Sequence, residues 1–164
     1  MKKWILPVLA FAALVFIVSG CGNKEVEPRA IDEKNDKCIQ CNMAVADDQF
    51  ATQLVTEKGK VFTFDDIGCM FEFKEQNKNE KIAGEFVRDY ETLEWLKLDE
   101  AVYVYHQEIY TPMAYNVISF ASEEKAKKFA AEYDAEIMNG SEINEHKWGM
   151  SEEGSDDHSH NSHE

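Results

Sequence analysis

Cys38-Ile39-Gln40-Cys41-Asn42-Met43 sets two thiols and a thioether within six residues. Thiolate and thioether donors together select Cu(I), whereas Mg, Ca and Mn prefer carboxylate and carbonyl oxygen. Met43 and Val45 alternate with polar or small residues, and no capping residue opens a helix at Cys41, so the segment reads as extended or loop-like. An extended chain turns Cys41 and Met43 to one face, because side chains repeat every second residue.

Other chemistries fit the same thiols. A thiol-disulfide oxidoreductase using Cys38 and Cys41 would need its attacking Cys at a helix N-terminus with cations nearby. Here Lys37 is the one adjacent cation, and Asp36, Asp47 and Asp48 oppose it. A structural zinc site wants four nitrogen or sulfur ligands, and Cys38, Cys41, Cys69 and His106 supply that number if the fold gathers them. A plain Cys38–Cys41 disulfide with Cys69 buried is the blandest alternative. There is no Gly-rich phosphate loop, nucleophile elbow or HExxH, so an enzymatic role would rest on thiols alone, and a non-enzymatic one is expected.

The ends of the chain decide where these thiols work. Lys2 and Lys3 precede an almost unbroken apolar run from Trp4 to Val18, which closes on Ser19-Gly20-Cys21. This is the pattern of a secretory signal, residues 1–20, with a lipoprotein-type cleavage site; a membrane-spanning helix would need about 20 apolar residues. Cys21 is then the lipidated first residue, and the expected location is the extracytoplasmic face of the cell membrane, lipid-anchored. Residues 22–37 are polar and charged and read with Cys21 as a flexible tether over 21–37. Residues 151–164 carry Ser, Glu, Asp and His without one aliphatic or aromatic side chain, the composition of a disordered acidic tail. His158, His160 and His163 in that tail are candidate auxiliary metal ligands. The net charge of −15 repels nucleic acid and anionic lipid alike, which leaves no nucleic-acid role.

Between these ends, residues 38–150 are long enough for one domain with a real core. Phe50–Thr56 and Val61–Phe64 read as a hairpin turning at Lys58-Gly59. Asp65 and Asp66 offer cap oxygens for a helix with Ile67, Met70, Phe71 and Lys74 at helical spacing, ending near residues 76–79. Ile82–Tyr90 follows as a strand. The order then repeats: strands at Ala101–His106 and Tyr115–Phe120, a helix capped by Ser122 with Ala126, Phe129, Ala130 and Tyr133 as its stripe, and a closing strand at Ala135–Met138. Cys69 is expected in the core, since free Cys is among the most buried residue types. Two such units packed together predict an α+β domain.

Several patches in order carry a family resemblance: Cys41-Asn42-Met43, Phe64-Asp65-Asp66-Ile67-Gly68-Cys69-Met70, and Tyr110-Thr111-Pro112-Met113-Ala114-Tyr115 leading to Phe120-Ala121-Ser122. With the lipoprotein signal, they resemble the NosL lipoproteins, accessory proteins of nitrous-oxide reductase assembly. The resemblance implies a fold of two ββαβ units, similar in shape to a domain of organomercurial lyase. It implies a membrane-tethered Cu(I) metallochaperone that serves a client cuproenzyme together with an assembly transporter. It places the family's Cys-x-Met on Cys41 and Met43, and a later methionine ligand on Met113. Cys38 is an added thiol, either a further copper ligand or an oxidation partner that closes Cys41 to metal.

Overall fold

A computed structural model describes residues 26–149 as two successive units that share one plan. Strands β1 (Thr52–Thr56) and β2 (Val61–Phe64) form the expected hairpin, with Thr52 opposite Phe64 and Val55 opposite Val61. Gly59 turns it at φ +78°, a backbone conformation that costs a residue without Cβ little. Helix α1 (Ile67–Gln76) follows, then β3 (Ile82–Arg88) and a short β4 (Trp95–Lys97). The second unit is β5 (Val102–Tyr105), β6 (Val117–Phe120), helix α2 (Glu123–Tyr133) and β7 (Glu136–Asn139). Strand order is β2-β1-β3-β4 in one sheet and β6-β5-β7 in the other. In both, the first strand of the unit is central and pairs antiparallel with the second and with the one after the helix. The repeat expected from element order is thus a repeat of topology.

The helices start where their caps dictate. The Asp66 carboxylate accepts from the Gly68 N–H at 3.1 Å, and the Ser122 hydroxyl accepts from Lys125 N–H at 3.5 Å. Lys74 closes the α1 stripe as expected, its ammonium 2.7 Å from Glu85 and over the Phe71 ring. α1 buries more than that stripe, since Cys69 and Phe73 are also covered. Phe73 meets Phe62 and Phe64 from β2, with ring centroids 4.7 and 5.5 Å away.

The units are stitched at their strand ends. Ser119 Oγ donates to the Arg88 carbonyl at 2.6 Å, and the Tyr90 N–H donates to the Ser119 carbonyl at 2.8 Å. Asp89 accepts from the Ala121 N–H at 2.7 Å and from Glu91 and Thr92. Burial opposes its charge, but these donors outweigh burial and hold the carboxyl below its usual range.

One element is new and one boundary moves. β4 was not foreseen, because three residues are too few to show a period. The tether ends earlier than Lys37: the Arg29 N–H and carbonyl pair with the Gln53 side chain at 3.0 and 2.8 Å, Arg29 ion-pairs with Asp36 at 2.6 Å, and Ile31 is buried. A paired backbone and a buried apolar anchor fix a segment whose composition reads as solvated. The thiol segment takes the loop-like of its two expected forms, so the one-face argument for Cys41 and Met43, which needed extended chain, does not apply. Asn42 sits at φ 65°, in the left-handed region, and the loop is closed by an antiparallel bridge between Lys37 and Ala44. The signal, Cys21 and the tail histidines lie outside the described residues.

Candidate metal centre

The loop that carries Cys38 and Cys41 is tied on both sides. The Cys38 N–H donates to the Met43 carbonyl and the Asn42 N–H to the Cys38 carbonyl, both at 2.8 Å. The loop is sewn to β2 by the Ile39 N–H on the Thr63 carbonyl at 3.1 Å, and by Thr63 Oγ1 on the Lys37 carbonyl at 3.1 Å. β2 runs directly into Asp65 and the cap of α1, so this stitching sets the thiol loop against the helix N-terminus.

Cys69 enters from the helix. It is the third residue of α1, and helical side chains lean back toward the N-terminus, which directs the thiol over the turn where Asp65 sits. Ligand atoms of Cys38, Cys41, Asp65 and Cys69 all lie within 4.8 Å of one another. Cys38 and Cys69 are buried at 1% exposure and Asp65 at 5%; Cys41 is half-buried and is the side chain that reaches solvent. All three thiols are free. Cys41 Sγ–H donates to the Asp65 carboxylate at 3.3 and 3.4 Å, and the Cys41 N–H points at Cys38 Sγ at 3.5 Å.

These contacts divide the charge unevenly. The Cys69 thiol donates to Cys38, and with the backbone N–H groups of Cys41 and Asp65 this outweighs burial and lowers the Cys38 thiol to about 7. Burial, together with the Cys38 and Asp65 acceptors, pushes Cys41 up to about 12. Donation to Cys38, and then burial, pushes Cys69 higher still. One thiolate is therefore stabilised at neutral pH, with two thiols hydrogen-bonded around it. A thiophilic cation that displaces those protons meets three sulfur donors and one carboxylate.

The two expected thioethers belong to segments that adjoin the cluster. Met43 serves the cluster with its backbone, its N–H lowering the Cys41 thiol and its carbonyl holding Cys38; its side chain is 53% exposed. Met113 lies in the β5–β6 connection, where Ala114 and Asn116 take left-handed φ of 57° and 62°. Its N–H donates at 2.9 Å to Asp66, the residue beside Asp65, and its half-buried side chain packs on the same core as Cys41. Burial raises the Asp66 carboxyl against the Met113, Thr111 and Gly68 donors. Nearby, a Cβ on Gly68 would stand 2.0 Å from the Tyr115 ring, so only glycine lets that ring lie on the helix. Trp148 stacks on Phe71 with centroids 4.4 Å apart and meets Tyr115 edge-on.

His106 is not part of the group. Its Nδ1 accepts from the Glu108 N–H at 3.2 Å, and its ring faces Tyr133 on α2. Of the four ligands considered for zinc, three converge and Asp65 stands in the fourth place. Asp65 was missed because it reads as cap chemistry; Cys69, expected in the core and weighed only as a zinc ligand, is both buried and in the cluster. The usable signal was their separation of four residues across a helix start.

The NosL family profile matches residues 28–148. The chain belongs to the NosL family. Among solved structures its fold is similar to that of the copper chaperone NosL from Shewanella denitrificans, with a TM-score of 0.63 and 20% identity, covering 71% of this chain and 95% of that one. None of the curated proteins compared matches it. The NosL match begins beside Arg29 and ends at Trp148, the two segments that close the fold around the thiol loop and α1.

Proposed function

We propose that this NosL protein is a membrane-tethered, extracytoplasmic Cu(I) metallochaperone that passes copper to a client cuproenzyme, with nitrous-oxide reductase as the client. The observation that carries the reading is the half-buried free thiol of Cys41 within 4.8 Å of the buried Cys38 thiol, with Met43 exposed two residues further on and the Met113 N–H bonded to the helix cap. Cys41, Met43, Met113 and Cys38 are the proposed ligands, Cys41 first, because it is the thiol that reaches both solvent and the cluster. Soft donors in low coordination number suit Cu(I) and leave a place for a partner's ligand to begin binding before the carrier lets go. Membership of the NosL family and a fold shared with the copper chaperone NosL from Shewanella denitrificans support the same assignment. The signal at 1–20 and a lipid on Cys21 would hold the domain at the outer face, and His158, His160 and His163 would act as a loose collector.

A thiol oxidoreductase is disfavoured by the arrangement of the thiols. Its attacking thiol must be accessible and acidic. Here the acidified thiol, Cys38, is 1% exposed, and the accessible one, Cys41, is raised to about 12.

The test is competition for Cu(I) between the reduced protein and a chromogenic chelator. One Cu(I) should bind tightly, and Cys41→Ser should weaken it at least about 100-fold, roughly 2.7 kcal/mol. Full affinity in Cys41→Ser would end the assignment. Copper transfer to the apo form of the reductase, measured by its recovered activity, tests the client separately.

A further inference from the structure

The copper reading leaves two buried donors unused, Cys69 and Asp65. A carboxylate gives Cu(I) little, since hard oxygen belongs to harder cations. Three thiols and one carboxylate are instead a complete set for a four-coordinate thiophilic dication, and zinc accepts Cys sulfur at about 2.3 Å and Asp oxygen at about 2.0–2.2 Å in closed tetrahedral sites. Tetrahedral geometry at those bond lengths separates sulfur ligands by about 3.8 Å. The four ligand atoms already lie within 4.8 Å of one another, with three of the four side chains buried. Backbone N–H groups on the Cys38 sulfur would offset the excess charge of three thiolates on a dication.

We propose that Cys38, Cys41, Cys69 and Asp65 form an inner site for a divalent thiophilic cation, zinc in the first instance, distinct in donor set from the thioether-containing Cu(I) site proposed above. The two sets share Cys38 and Cys41, so one ion excludes the other. Zinc in the inner site occupies the thiols that copper requires and is displaced when copper arrives. Binding costs up to three thiol protons, which leave to solvent as the metal–sulfur bonds form. The inference builds on the copper reading only for the competition between ions; the inner site stands or falls by itself.

The experiment uses the reduced mature chain with His158, His160 and His163 changed to Ala, so that tail imidazoles cannot compete. Co(II) should give thiolate-to-metal charge-transfer absorption and the visible bands of tetrahedral cobalt, bleached by one equivalent of Zn(II). Cys69→Ala should lower Zn(II) affinity at least about 100-fold and Asp65→Asn about 10-fold, while each changes Cu(I) affinity less than 10-fold. Met43→Ala with Met113→Ala should do the opposite. Should Cys69→Ala fail to fold, the cobalt spectrum of the unsubstituted site and zinc retention in the double methionine variant decide the matter. The proposal is overturned if cobalt shows no sulfur charge transfer, or if zinc and copper affinities fall together in these variants. Zinc binding without copper binding would overturn the copper reading and leave this one standing; copper without zinc does the reverse.

Discussion

The two units of this NosL protein begin their helices at the same place in the same topology, yet only one junction carries chemistry. At α1, Asp65 and Asp66 are buried, the thiol loop is sewn to the preceding strand, and the β5–β6 connection docks on the cap through the Met113 N–H. At α2, Ser122 is only half-buried, its bond to Lys125 is long at 3.5 Å, and Ala126 and Ala130 alone are buried along the helix. A helix N-terminus offers orphan N–H groups and positive potential wherever it occurs. The difference lies in what covers it. The second junction faces solvent and is used for structure, with Asp89 tying Ala121 to the first sheet. The first is roofed by two loops and so can hold thiols away from water.

If coverage is what separates the junctions, damage to the packing at α1 should be costly. Gly68→Ala is the largest expected effect, because its Cβ would lie 2.0 Å from the Tyr115 ring and the ring must move from the helix. Overpacking of this kind costs about 1–3 kcal/mol, and the upper end is expected in denaturant unfolding. Combining it with Tyr115→Ala should recover little of the loss as stability, since the ring's burial is forfeited. The sharper expectation is that Gly68→Ala weakens Cu(I) binding by displacing the cap that holds Met113.

Asp66→Ala comes next. It removes the acceptor of the Gly68 N–H and of the part-buried Met113 N–H. Loss of a cap costs about 1 kcal/mol and an unsatisfied buried donor about 1–3, so a loss near 2 kcal/mol is expected. The raised Asp66 carboxyl trims that figure, since less of its charge is present as pH falls toward the carboxylate range.

Protons provide a third contrast, confined to the first junction. Copper needs thiolates, so apparent Cu(I) affinity rises with pH. Cys41, raised to about 12, surrenders a proton on binding throughout the neutral range, which gives about tenfold tighter binding per pH unit. Cys38, lowered to about 7, adds a second proton only below that value, so the slope should steepen as pH falls through 7. Chelator competition from pH 6 to 8 measures both slopes. A flat profile would contradict the division of charge in the cluster.

The elements were legible because their signals are local. Asp66 and Ser122 read as caps and proved to be caps, and α1 and α2 began where aromatic strand ends met those residues. The repeat was legible for the same reason. The thiol loop was not, because the left-handed Asn42 that turns it is set by a bridge from Lys37 to Ala44 and by bonds to β2, which are tertiary facts. Arg29 and Ile31 illustrate the same limit, since a charged segment gives no sign of the Gln53 side chain waiting to pair with it. Cys69 joined the site through the direction of a helical side chain, which spacing encodes but composition hides. Met113 came from resemblance, and its place beside Asp66 depends on contact between the two units.

The smallest expected effect is at the second junction and is the control for all the others. Ser122→Ala removes a half-exposed cap whose bond is already 3.5 Å long, so water can replace it at little cost. A loss near the low end of the capping range, about 0.5 kcal/mol, is expected in denaturant unfolding. Cu(I) affinity and its pH slope should not change, because α2 packs on β5, β6 and β7 of the second unit while the cluster is built on the first. A copper effect from Ser122→Ala would mean that the two helix starts are coupled through Asp89 and the shared β3–β6 seam. Function would then depend on the whole repeat rather than on the cover over one of its halves.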